Sequence, residues 1–287
     1  GTEVHGIVRP NSTSSVSDGV IVHEADIRDS AALETIVAEV KPDELYHLAG
    51  QTSVAASWDD PVGTVEQTGA PVAALLNAIA KHTPATRFLN AASAEIFGTA
   101  PAPQDESTAL TPVSPYGAAK ALGHMLVSSF RKRGIHASSC VLYNHESPLR
   151  DERFVTGKIA AAVARIDAGL QDILYLGMLD IERDWGWAPD YVDAMQRAIR
   201  FEHGDDYVIG TGVTHTIRDF VTAAFNTVGL DNWDRYVSTD PALVRPADPA
   251  TQRANSKKAN SVLGWKTTIE FPDIVAAMVN HHVEKLR

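Results

Sequence analysis

The stretch Val20-Ile-Val-His-Glu-Ala-Asp-Ile-Arg-Asp-Ser-Ala-Ala-Leu-Glu-Thr-Ile-Val-Ala-Glu-Val-Lys-Pro-Asp-Glu-Leu-Tyr-His-Leu48 decides the fold. A short β-type run, Val20–Glu24, precedes a segment in which Ser30 is a helix-capping residue and apolar residues recur at helical spacing up to Val40. A second β-type run, Glu44–Leu48, completes a strand, helix, strand unit. Repetition of such units is typical of a parallel sheet with helices on both faces.

The same alternation runs through residues 1–150 and predicts a doubly wound, parallel, Rossmann-like α/β domain. It loosens over residues 151–287, which predicts a smaller α/β substrate lobe, with the chain crossing between the two. The other predicted strands are Val4–Val8, Arg87–Ala91, Ala137–Leu142, Ile173–Leu176 and Tyr207–Ile209, and the other predicted helices are Val65–Lys81, Tyr116–Arg133, Pro189–Arg200, Ile217–Val228 and Phe271–Glu284.

The first residues do not follow the usual opening of a dinucleotide-binding fold, which is a strand, a glycine-rich turn and a helix. The segment Gly1-Thr-Glu-Val-His-Gly-Ile-Val-Arg9 resembles the second strand of such a fold and the basic residue after it. Gly210-Thr-Gly212 is no substitute, because no third glycine or long helix follows at the required spacing. We therefore expect the first strand and its glycine-rich loop, about 20 to 25 residues, to be missing, and cofactor binding by the chain as written to be weakened.

Composition narrows the class of protein. The chain has 287 residues, 44% of them hydrophobic, and a formal net charge of -11, which argues against broad binding to the nucleic acid backbone. No apolar run is long enough for a membrane helix and no signal segment is present, so a cytoplasmic location is expected. The single cysteine, Cys140, lies in an apolar stretch and is expected in the core.

Two short motifs carry candidate chemistry. In Tyr116-Gly-Ala-Ala-Lys120 a phenol and an ammonium lie on one face of a helix, and the positive charge favours ionisation of the phenol. Ser93 and Glu95 lie at the end of a predicted strand and, on a regular strand, share a face at the carboxyl edge of the sheet. The four side chains together form a candidate acid–base site.

Further motifs extend along the chain, and in their order and spacing they resemble the GDP-mannose 4,6-dehydratases, a family of extended short-chain dehydrogenases/reductases. The resemblance covers nearly the whole chain, and its most specific parts are Asn-His-Glu-Ser-Pro and Arg-Asp-Trp-Gly. The matching motifs are Ser93-Ala-Glu95, Ser114-Pro-Tyr-Gly-Ala-Ala-Lys120, Tyr143-Asn-His-Glu-Ser-Pro148, Phe154-Val-Thr-Gly-Lys158, Arg183-Asp-Trp-Gly-Trp-Ala-Pro-Asp-Tyr-Val192, Arg245-Pro-Ala-Asp248 and Lys257-Lys-Ala-Asn-Ser-Val-Leu-Gly-Trp265.

The resemblance implies a lyase that converts GDP-mannose, or a related GDP-sugar, to the 4-keto-6-deoxy sugar while hydride passes from C4 to the cofactor and back to C6. Tyr116 would take the proton of the C4 hydroxyl, with Lys120 lowering the pKa of the phenol and holding the cofactor ribose. Ser93 would hydrogen-bond the C4 oxygen. Glu95 would remove the C5 proton and assist loss of the C6 hydroxyl as water.

The resemblance also implies the binding residues and the assembly. NADP is the expected cofactor, with NAD left open because Arg9 is followed by Pro10 where the family usually has a second arginine. A homodimer or homotetramer is expected, built partly from helices near residues 65–81 and 116–133. The implied cofactor contacts are Arg9, Asp26, Ile27, Leu48, Ala49, Gly50, Gln51, Thr52, Tyr116, Lys120, His145 and Arg150, and the implied substrate contacts are Asn144, Lys158, Arg183, Arg245 and Asp248.

Three departures and two alternatives accompany this interpretation. Ser93 stands where threonine is common, a conservative change that keeps the hydroxyl. Gly157 replaces a basic residue before Lys158 and Met178 replaces an amide after Gly177, so one substrate contact is expected to be lost or rearranged. A related nucleotide-sugar reductase or 4-epimerase shares the Tyr and Lys pair. A catalytically silent protein that binds sugar nucleotides is compatible with the absent glycine-rich loop. No cluster with metal-site spacing surrounds His47, which is expected to be structural.

Overall fold

The computed structural model describes residues 1–12, 16–243 and 251–287, which form a mixed α/β fold. The elements alternate as predicted in the first half of the chain. The strands are β1 (Val4–Val8), β2 (Val20–Glu24), β3 (Glu44–His47), β4 (Arg87–Ser93), β5 (Ala137–Leu142), β6 (Asn144–Glu146), β7 (Leu174–Leu176), β8 (Glu182–Arg183), β9 (Trp185–Trp187), β10 (Asp206–Ile209), β11 (His215–Thr216), β12 (Val237–Thr239) and β13 (Thr251–Gln252). The helices are α1 (Ser30–Val40), α2 (Ala56–Asp59), α3 (Pro61–Thr68), α4 (Ala70–His82), α5 (Pro115–Arg131), α6 (Val155–Asp167), α7 (Ala188–Arg200), α8 (Ile217–Thr227), α9 (Lys257–Leu263) and α10 (Phe271–Leu286).

Parallel strand pairs build the sheets that carry the predicted catalytic residues. One sheet has the strand order β10-β5-β4-β3, and β3 pairs in parallel with β4 so that His47 lies opposite Asn90. β1 and β2 form a separate two-stranded parallel sheet, with Val4 opposite Val20. The parallel α/β prediction is confirmed. The expectation that a first strand and glycine-rich loop are missing stays a prediction.

The residue that caps the first helix lies one position earlier than the sequence suggested. Asp29 is the cap of α1, because its Oδ1 accepts hydrogen bonds from the amides of Ala31 at 3.1 Å and Ala32 at 3.0 Å. Ser30 is the first helical residue, so its assignment as the cap was wrong. Both types are good caps, and here the carboxylate satisfies two of the free amides at the helix start.

The long helix predicted over Val65–Lys81 is two helices, α3 and α4. Pro71 has no amide hydrogen and cannot continue the hydrogen-bond ladder of α3, so the helix restarts with Pro71 near its first turn. α3 also begins earlier than predicted, because the Asp60 Oδ1 accepts a hydrogen bond from the Gly63 amide at 2.9 Å and Pro61 occupies the first turn.

The chain divides into two compact units, each assembled from separate segments. The first unit comprises Gly1–Ile96, Pro112–Cys140 and Ala198–Asp206, and Leu33, Leu76, Ile79 and Phe88 lie in its core with no exposed surface. The second comprises Phe97–Thr111, Val141–Arg197 and Tyr207–Arg287, and its core joins α6, α8 and α10 around residues such as Phe220 and Trp185. Because it includes residues 97–111 and 141–150, the second unit is larger than the predicted lobe.

The described residues lack two features, a membrane-spanning helix and a cluster of metal-binding side chains. Within 1–12, 16–243 and 251–287, no helix has the length and apolar character needed to cross a membrane. The same residues contain no group of three or more His, Cys, Asp or Glu side chains that could hold a metal ion. Cys140 is fully buried, as predicted, and burial raises the pKa of its thiol.

Candidate active site

Helix α5 carries the predicted catalytic pair into the first unit. Ser114 caps the helix, its Oγ accepting a hydrogen bond from the Gly117 amide at 3.0 Å, and Pro115 follows in the first turn. Tyr116 and Lys120 therefore lie one helical turn apart on the same face, and each is only 8% exposed. The Lys120 Nζ is 5.9 Å from the centre of the Tyr116 ring. The structure brings this pair together as the sequence predicted.

The burial of Lys120 determines its electrostatic character. Its Nζ donates a 2.7 Å hydrogen bond to the backbone carbonyl of Ala91 in β4. Desolvation lowers the pKa of the ammonium to about 8, because removal from water disfavours the charged form. A lysine with this pKa still carries charge near neutral pH and can favour ionisation of a neighbouring phenol.

Ser93 and Glu95 are close to each other, but not as two residues of a strand. β4 ends at Ser93, and Ala94–Ile96 form a 3-10 turn. The Ser93 Oγ accepts a hydrogen bond from the Glu95 amide at 3.3 Å, so the serine caps this turn. Both side chains are half-buried, and the end of β4 and the turn after it lie against α5. The argument that they share a strand face was wrong, although they do lie at the end of β4.

Gly117 explains how helix α5 approaches the turn that carries Glu95. A Cβ at position 117 would lie 2.6 Å from the Glu95 carbonyl oxygen and 3.2 Å from the Cβ of Pro112. Only glycine permits this separation. Gly117 therefore sets the distance between helix α5, which carries Tyr116 and Lys120, and the turn that carries Glu95. Sequence reasoning did not single out Gly117, although its position directly after Tyr116 was a usable signal.

The residues predicted at the adenine end of a cofactor follow β1 and β2. Asp26 is half-buried, and its carboxylate accepts hydrogen bonds from the Arg28 side chain at 2.9 and 2.6 Å. These bonds, with the charges of Arg28 and Arg9, lower the pKa of Asp26 to about 2. Ile27 is half-buried beside them. Arg28, which the sequence reasoning missed, places a second cation near Arg9.

The predicted cofactor loop, Leu48–Thr52, follows β3. Leu48 is 56% exposed, and Ala49 and Thr52 are exposed as well. Gly50 has φ 142°, and a Cβ there would lie 3.2 Å from the carbonyl oxygen of Gln67, which leaves little room for a larger residue. The Gln51 Nε2 donates to the Ser53 carbonyl at 2.6 Å, whereas its buried Oε1 accepts no hydrogen bond from the residues described. Within this loop, the exposed Leu48 side chain and the Gln51 Oε1 without a described donor fit a ligand that has both apolar and hydrogen-bond donor groups.

In the second unit, the Asn-His-Glu-Ser-Pro motif forms β6 and the turn after it. A ring nitrogen of His145 is 2.8 Å from the Tyr143 carbonyl, and the ring packs against Tyr191 with 5.0 Å between centres. Glu146 is completely buried and pairs with Arg150 at 3.0 Å. The Arg150 guanidinium also lies 4.1 Å from the centre of the Phe154 ring, so its position is set from two sides. Asn144 is half-buried at the start of β6.

The two predicted phosphate-binding cations of the second unit that the structure describes are Lys158 and Arg183. The Lys158 Nζ on α6 donates to the Tyr175 carbonyl at 2.6 Å. Arg183 on β8 is 8% exposed, and its guanidinium donates to the Glu182 carbonyl at 2.8 Å. Arg245 and Asp248 lie outside the described residues.

The departures at positions 157 and 178 have different structural settings. A Cβ at Gly157 would lie 2.5 Å from the Asp151 carbonyl oxygen and 2.7 Å from that of Arg150. A basic side chain therefore does not fit position 157 in this backbone. Met178, in contrast, is 53% exposed, so its replacement of an amide changes the surface and leaves the packing unaffected.

Comparison with known proteins gives the family of the chain. The family model of GDP-mannose 4,6 dehydratases matches residues 1–278. GDP-mannose 4,6 dehydratase 2 of Arabidopsis thaliana is 38% identical over 303 residues, which cover 99% of this chain and 81% of the relative. The human GDP-mannose 4,6 dehydratase is 34% identical over 321 residues, covering 100% of this chain and 86% of the relative.

Solved structures confirm the fold. RMD from Pseudomonas aeruginosa, in complex with NADPH, superposes with a TM-score of 0.83 at 23% identity, covering 93% of this chain and 90% of that chain. The UDP-glucose 4-epimerase of Thermotoga maritima, with UDP-glucose, superposes with a TM-score of 0.86 at 23% identity, covering 98% and 91%. Since an epimerase also has this fold, the fold alone does not give the family. The sequence matches, which cover nearly the whole of this chain, do give it, and the chain belongs to the GDP-mannose 4,6-dehydratase family.

Proposed function

We propose that this protein converts GDP-mannose to GDP-4-keto-6-deoxymannose with loss of water. The observation that carries the proposal is the buried Tyr116 and Lys120 pair beside Ser93 and Glu95, in a chain that matches this family along its length. A base, a cation, a hydroxyl and a carboxylate are the groups that oxidation at C4 and elimination across C5 and C6 require.

Each of the four side chains has a proposed role. Tyr116 takes the proton from the C4 hydroxyl, and the Lys120 ammonium stabilises the phenolate that does so. Ser93 donates a hydrogen bond to the C4 oxygen as it becomes a carbonyl. Glu95 removes the proton at C5 and donates a proton to the C6 hydroxyl, which leaves as water. The proton that Tyr116 took from the C4 hydroxyl goes to C5 as C6 is reduced, which returns the phenol to its starting state. The atoms balance because one proton and one hydroxyl leave as water and no net hydride is gained or lost.

NADP is the proposed cofactor, and hydride acceptance at C4 with return at C6 is the chemistry that it supplies when bound. Lys120 would hold the ribose, Asp26 and Ile27 the adenine, and the Leu48–Thr52 loop, His145 and Arg150 would make further contacts. The unsatisfied Gln51 oxygen and the exposed Leu48 support this assignment. Arg9 and Arg28, whose charges both act on Asp26, support NADP over NAD, because a 2′-phosphate needs nearby cations.

The GDP-sugar contacts are proposed for the second unit. Lys158 and Arg183 would bind the diphosphate, with Asn144 nearby on β6, and the assignment of Arg245 and Asp248 stays a prediction. Cationic side chains of this kind allow an anion to bind a protein of net charge -11.

The activity is tested by incubating the protein with GDP-mannose and a catalytic amount of NADP. The expected product has lost one water, as measured by mass spectrometry, and NADPH does not accumulate or disappear. Stoichiometric oxidation of NADPH with a keto-sugar would instead identify a reductase, and a product with inverted C4 and unchanged mass would identify an epimerase. Binding of GDP without turnover would support a silent binding protein.

Tyr116→Phe is the sharpest test of the site. The variant keeps the ring and removes the ionisable oxygen, so kcat should fall by a factor of about 10² to 10⁴. The affinity for GDP, measured by calorimetry, should stay within a factor of about two, because the phenol is assigned no role in GDP binding. Tyr175→Phe is the matched control, since Tyr175 is 54% exposed and should tolerate the change. Unchanged turnover by Tyr116→Phe would remove Tyr116 from the mechanism.

A homodimer, or a homotetramer built from it, is the proposed assembly. The short helix α2 and the helix α3 pack on α5, and this surface exposes Trp58, Val62, Val65 and Met125. Large apolar side chains grouped on neighbouring helices commonly mark a contact between subunits. A cytoplasmic location stays a prediction from the sequence.

A further inference from the structure

Asp184 is a buried carboxylate to which the proposed mechanism assigns no role. It follows Arg183 directly and is 1% exposed. Its Oδ1 accepts hydrogen bonds from the Thr211 amide at 2.8 Å and the Thr211 hydroxyl at 2.7 Å. Its Oδ2 accepts from the amides of Gly212 at 2.8 Å and Ala254 at 3.1 Å. Four donors, none of them a cation, thus meet on one side chain.

These donors come from the segments that flank the strand of Arg183. β8 lies between β11 and β13, and Arg183 pairs with His215 on one side and with Gln252 on the other. Ala254 lies two residues after the end of β13, and Thr211 and Gly212 lie in the loop that leads into β11. Both neighbours of β8 are therefore fastened at the residue next to Arg183.

The four hydrogen bonds at Asp184, which we call the Asp184 clamp, depend on a carboxylate. Burial raises the pKa of Asp184, while its four hydrogen bonds favour the charged form. An asparagine of the same shape offers one acceptor oxygen in place of two, and its amide group would meet donors of the protein. Leaving a buried amide without an acceptor costs about 1 to 3 kcal/mol, so the loop and β13 would separate from β8 or rotate to find water.

We propose that Asp184 is a positioning residue for substrate binding, because its carboxylate holds β8 between its two neighbours and thereby fixes the guanidinium of Arg183. The inference rests on the proposed function, in which Arg183 binds the diphosphate of the GDP-sugar. A cation that must meet two phosphates loses affinity when its strand moves, even if no group that touches the ligand has been removed.

The test compares Asp184→Asn with Asp190→Asn. Asp190 is also buried, 4% exposed, and its carboxylate accepts hydrogen bonds from the Thr268 amide at 2.9 Å and the Thr268 hydroxyl at 2.7 Å. The two variants thus make the same chemical change in the same unit, one beside Arg183 and one elsewhere. GDP binding is measured by calorimetry, and KM and kcat are measured with GDP-mannose.

Asp184→Asn should raise the Kd for GDP and the KM by about ten- to a hundredfold, with kcat within a factor of about three. Asp190→Asn should lower the melting temperature and leave the Kd unchanged. Equal Kd values for Asp184→Asn and the parent would overturn the inference alone. Equal losses of GDP affinity in both aspartate variants would reduce Asp184 to a purely structural role. Failure of the parent to bind GDP would overturn the proposed function, and with it the basis of the inference.

A milder pair of variants covers the case in which Asp184→Asn does not fold. Thr211→Val removes the hydroxyl that donates to Asp184 at 2.7 Å and that also meets the backbone amide and carbonyl of Val213 at 3.1 Å, whereas Thr211→Ser keeps all of these contacts. The valine variant should bind GDP several-fold more weakly, which is the size of effect expected when Asp184 loses one hydrogen bond. The serine variant should bind GDP like the parent. Equal GDP affinity in the valine and serine variants would contradict the proposed clamp.

Discussion

Burial of the Lys120 ammonium is the feature of a single residue that most shapes the candidate site. The side chain is 8% exposed and its Nζ meets a backbone carbonyl, and among the residues that the structure describes no carboxylate is its hydrogen-bond partner. A buried cation costs free energy, which appears as a pKa lowered to about 8. The same feature keeps the charge close to Tyr116 and poorly screened by water, where it favours the phenolate.

The lowered pKa predicts how stability changes with pH. The folded protein releases this proton at about pH 8, whereas the unfolded chain keeps it until about pH 10.5. The unfolded state therefore binds more protons between these values, and stability rises with pH there. Relative to Lys120→Met, the parent should gain roughly 3 kcal/mol of unfolding free energy by pH 10.5, with much of the gain visible by pH 9.5.

Urea unfolding of parent and variant at pH 7.5, 8.5 and 9.5 measures this difference. Lys132→Met is the control, because Lys132 is exposed at the end of the same helix and the variant makes the same substitution without removing a buried ammonium. A parent-minus-variant difference that stays constant for Lys120→Met would show that the ammonium is not desolvated in the folded protein.

At this scale the sequence predicted which residues meet, but not how they are held. Spacing on a helix was enough to place Tyr116 beside Lys120, because residues four apart share a helix face whatever the rest of the fold does. The same kind of argument failed for Ser93 and Glu95, since the run Ala91-Ala-Ser-Ala94 has no feature that marks where β4 stops. The four donors that meet at Asp184 come from residues 211, 212 and 254, and no local pattern predicts such contacts.

At the scale of elements, the contact between α5 and the turn that carries Glu95 controls the geometry of the candidate site. The helix approaches so closely that a Cβ at Gly117 would lie 2.6 Å from the Glu95 carbonyl oxygen. The obstacle is backbone, which cannot rotate out of the way as a flexible side chain does. The distance between Tyr116 and Glu95 is thus set by the lack of a side chain at position 117.

Gly117→Ala should therefore impair both stability and catalysis. The added methyl group should push the turn away from α5, lowering the unfolding free energy by about 1 to 3 kcal/mol, net of the better helix propensity of alanine. kcat should fall by about ten- to a hundredfold as Glu95 moves, while GDP affinity is retained. Denaturant unfolding, turnover and calorimetry together measure these effects.

Ala118→Ser is the matched control for this substitution, because it adds one atom at the next position of the same helix. Ala118 is exposed, so the change should alter stability by less than about 0.5 kcal/mol and leave kcat unchanged. Parent-like kcat in Gly117→Ala would mean that the turn can shift without moving Glu95, and the packing argument would be wrong.

Element prediction succeeded where one signal dominated and failed where two competed. α1 and strands β1, β2 and β5 have the predicted bounds, since each is an apolar periodic run bounded by polar or turn residues. The segment 65–81 looked like one helix because its apolar residues stay periodic across Gly69. Pro71 was the competing signal, and the missing amide prevailed over the periodicity.

For the whole molecule, the segments that make up each of the two units could not be read from the sequence. Each unit combines segments from distant parts of the chain, such as Gly1–Ile96 with Ala198–Asp206. Contacts within the first unit explain this, since Arg131 pairs with Asp206 and Arg200 with Glu44 at 2.8 Å. The boundary was predicted at residue 150 because the alternation of strands and helices loosens there. That alternation indicates the type of each element, but it does not indicate contacts between residues far apart in the sequence.

The apolar surface on α2, α3 and α5 leads to a prediction about assembly. In a protein of net charge -11, copies repel each other unless a patch of apolar area offsets the repulsion. Trp58, Val62 and Met125 are 61%, 70% and 51% exposed, which is unusual for residues of this size on helices that also face a core. A second copy related by twofold symmetry would bury the same patch on both partners.

Val62→Glu combined with Met125→Glu should therefore give a monomer, because the change would place four carboxylates, two from each copy, in the apolar contact. Light scattering after gel filtration should show a dimer or tetramer for the parent and the mass of a single copy for the double variant, with an unchanged circular dichroism spectrum. Leu170→Glu with Val213→Glu is the control, since both residues are exposed in the second unit, at 66% and 55%, and their replacement adds the same charge.

A parent that is already a monomer, or a double variant that keeps the parent's mass, would overturn the proposed interface. Dissociation of both double variants would trace the effect to net charge and would count equally against it.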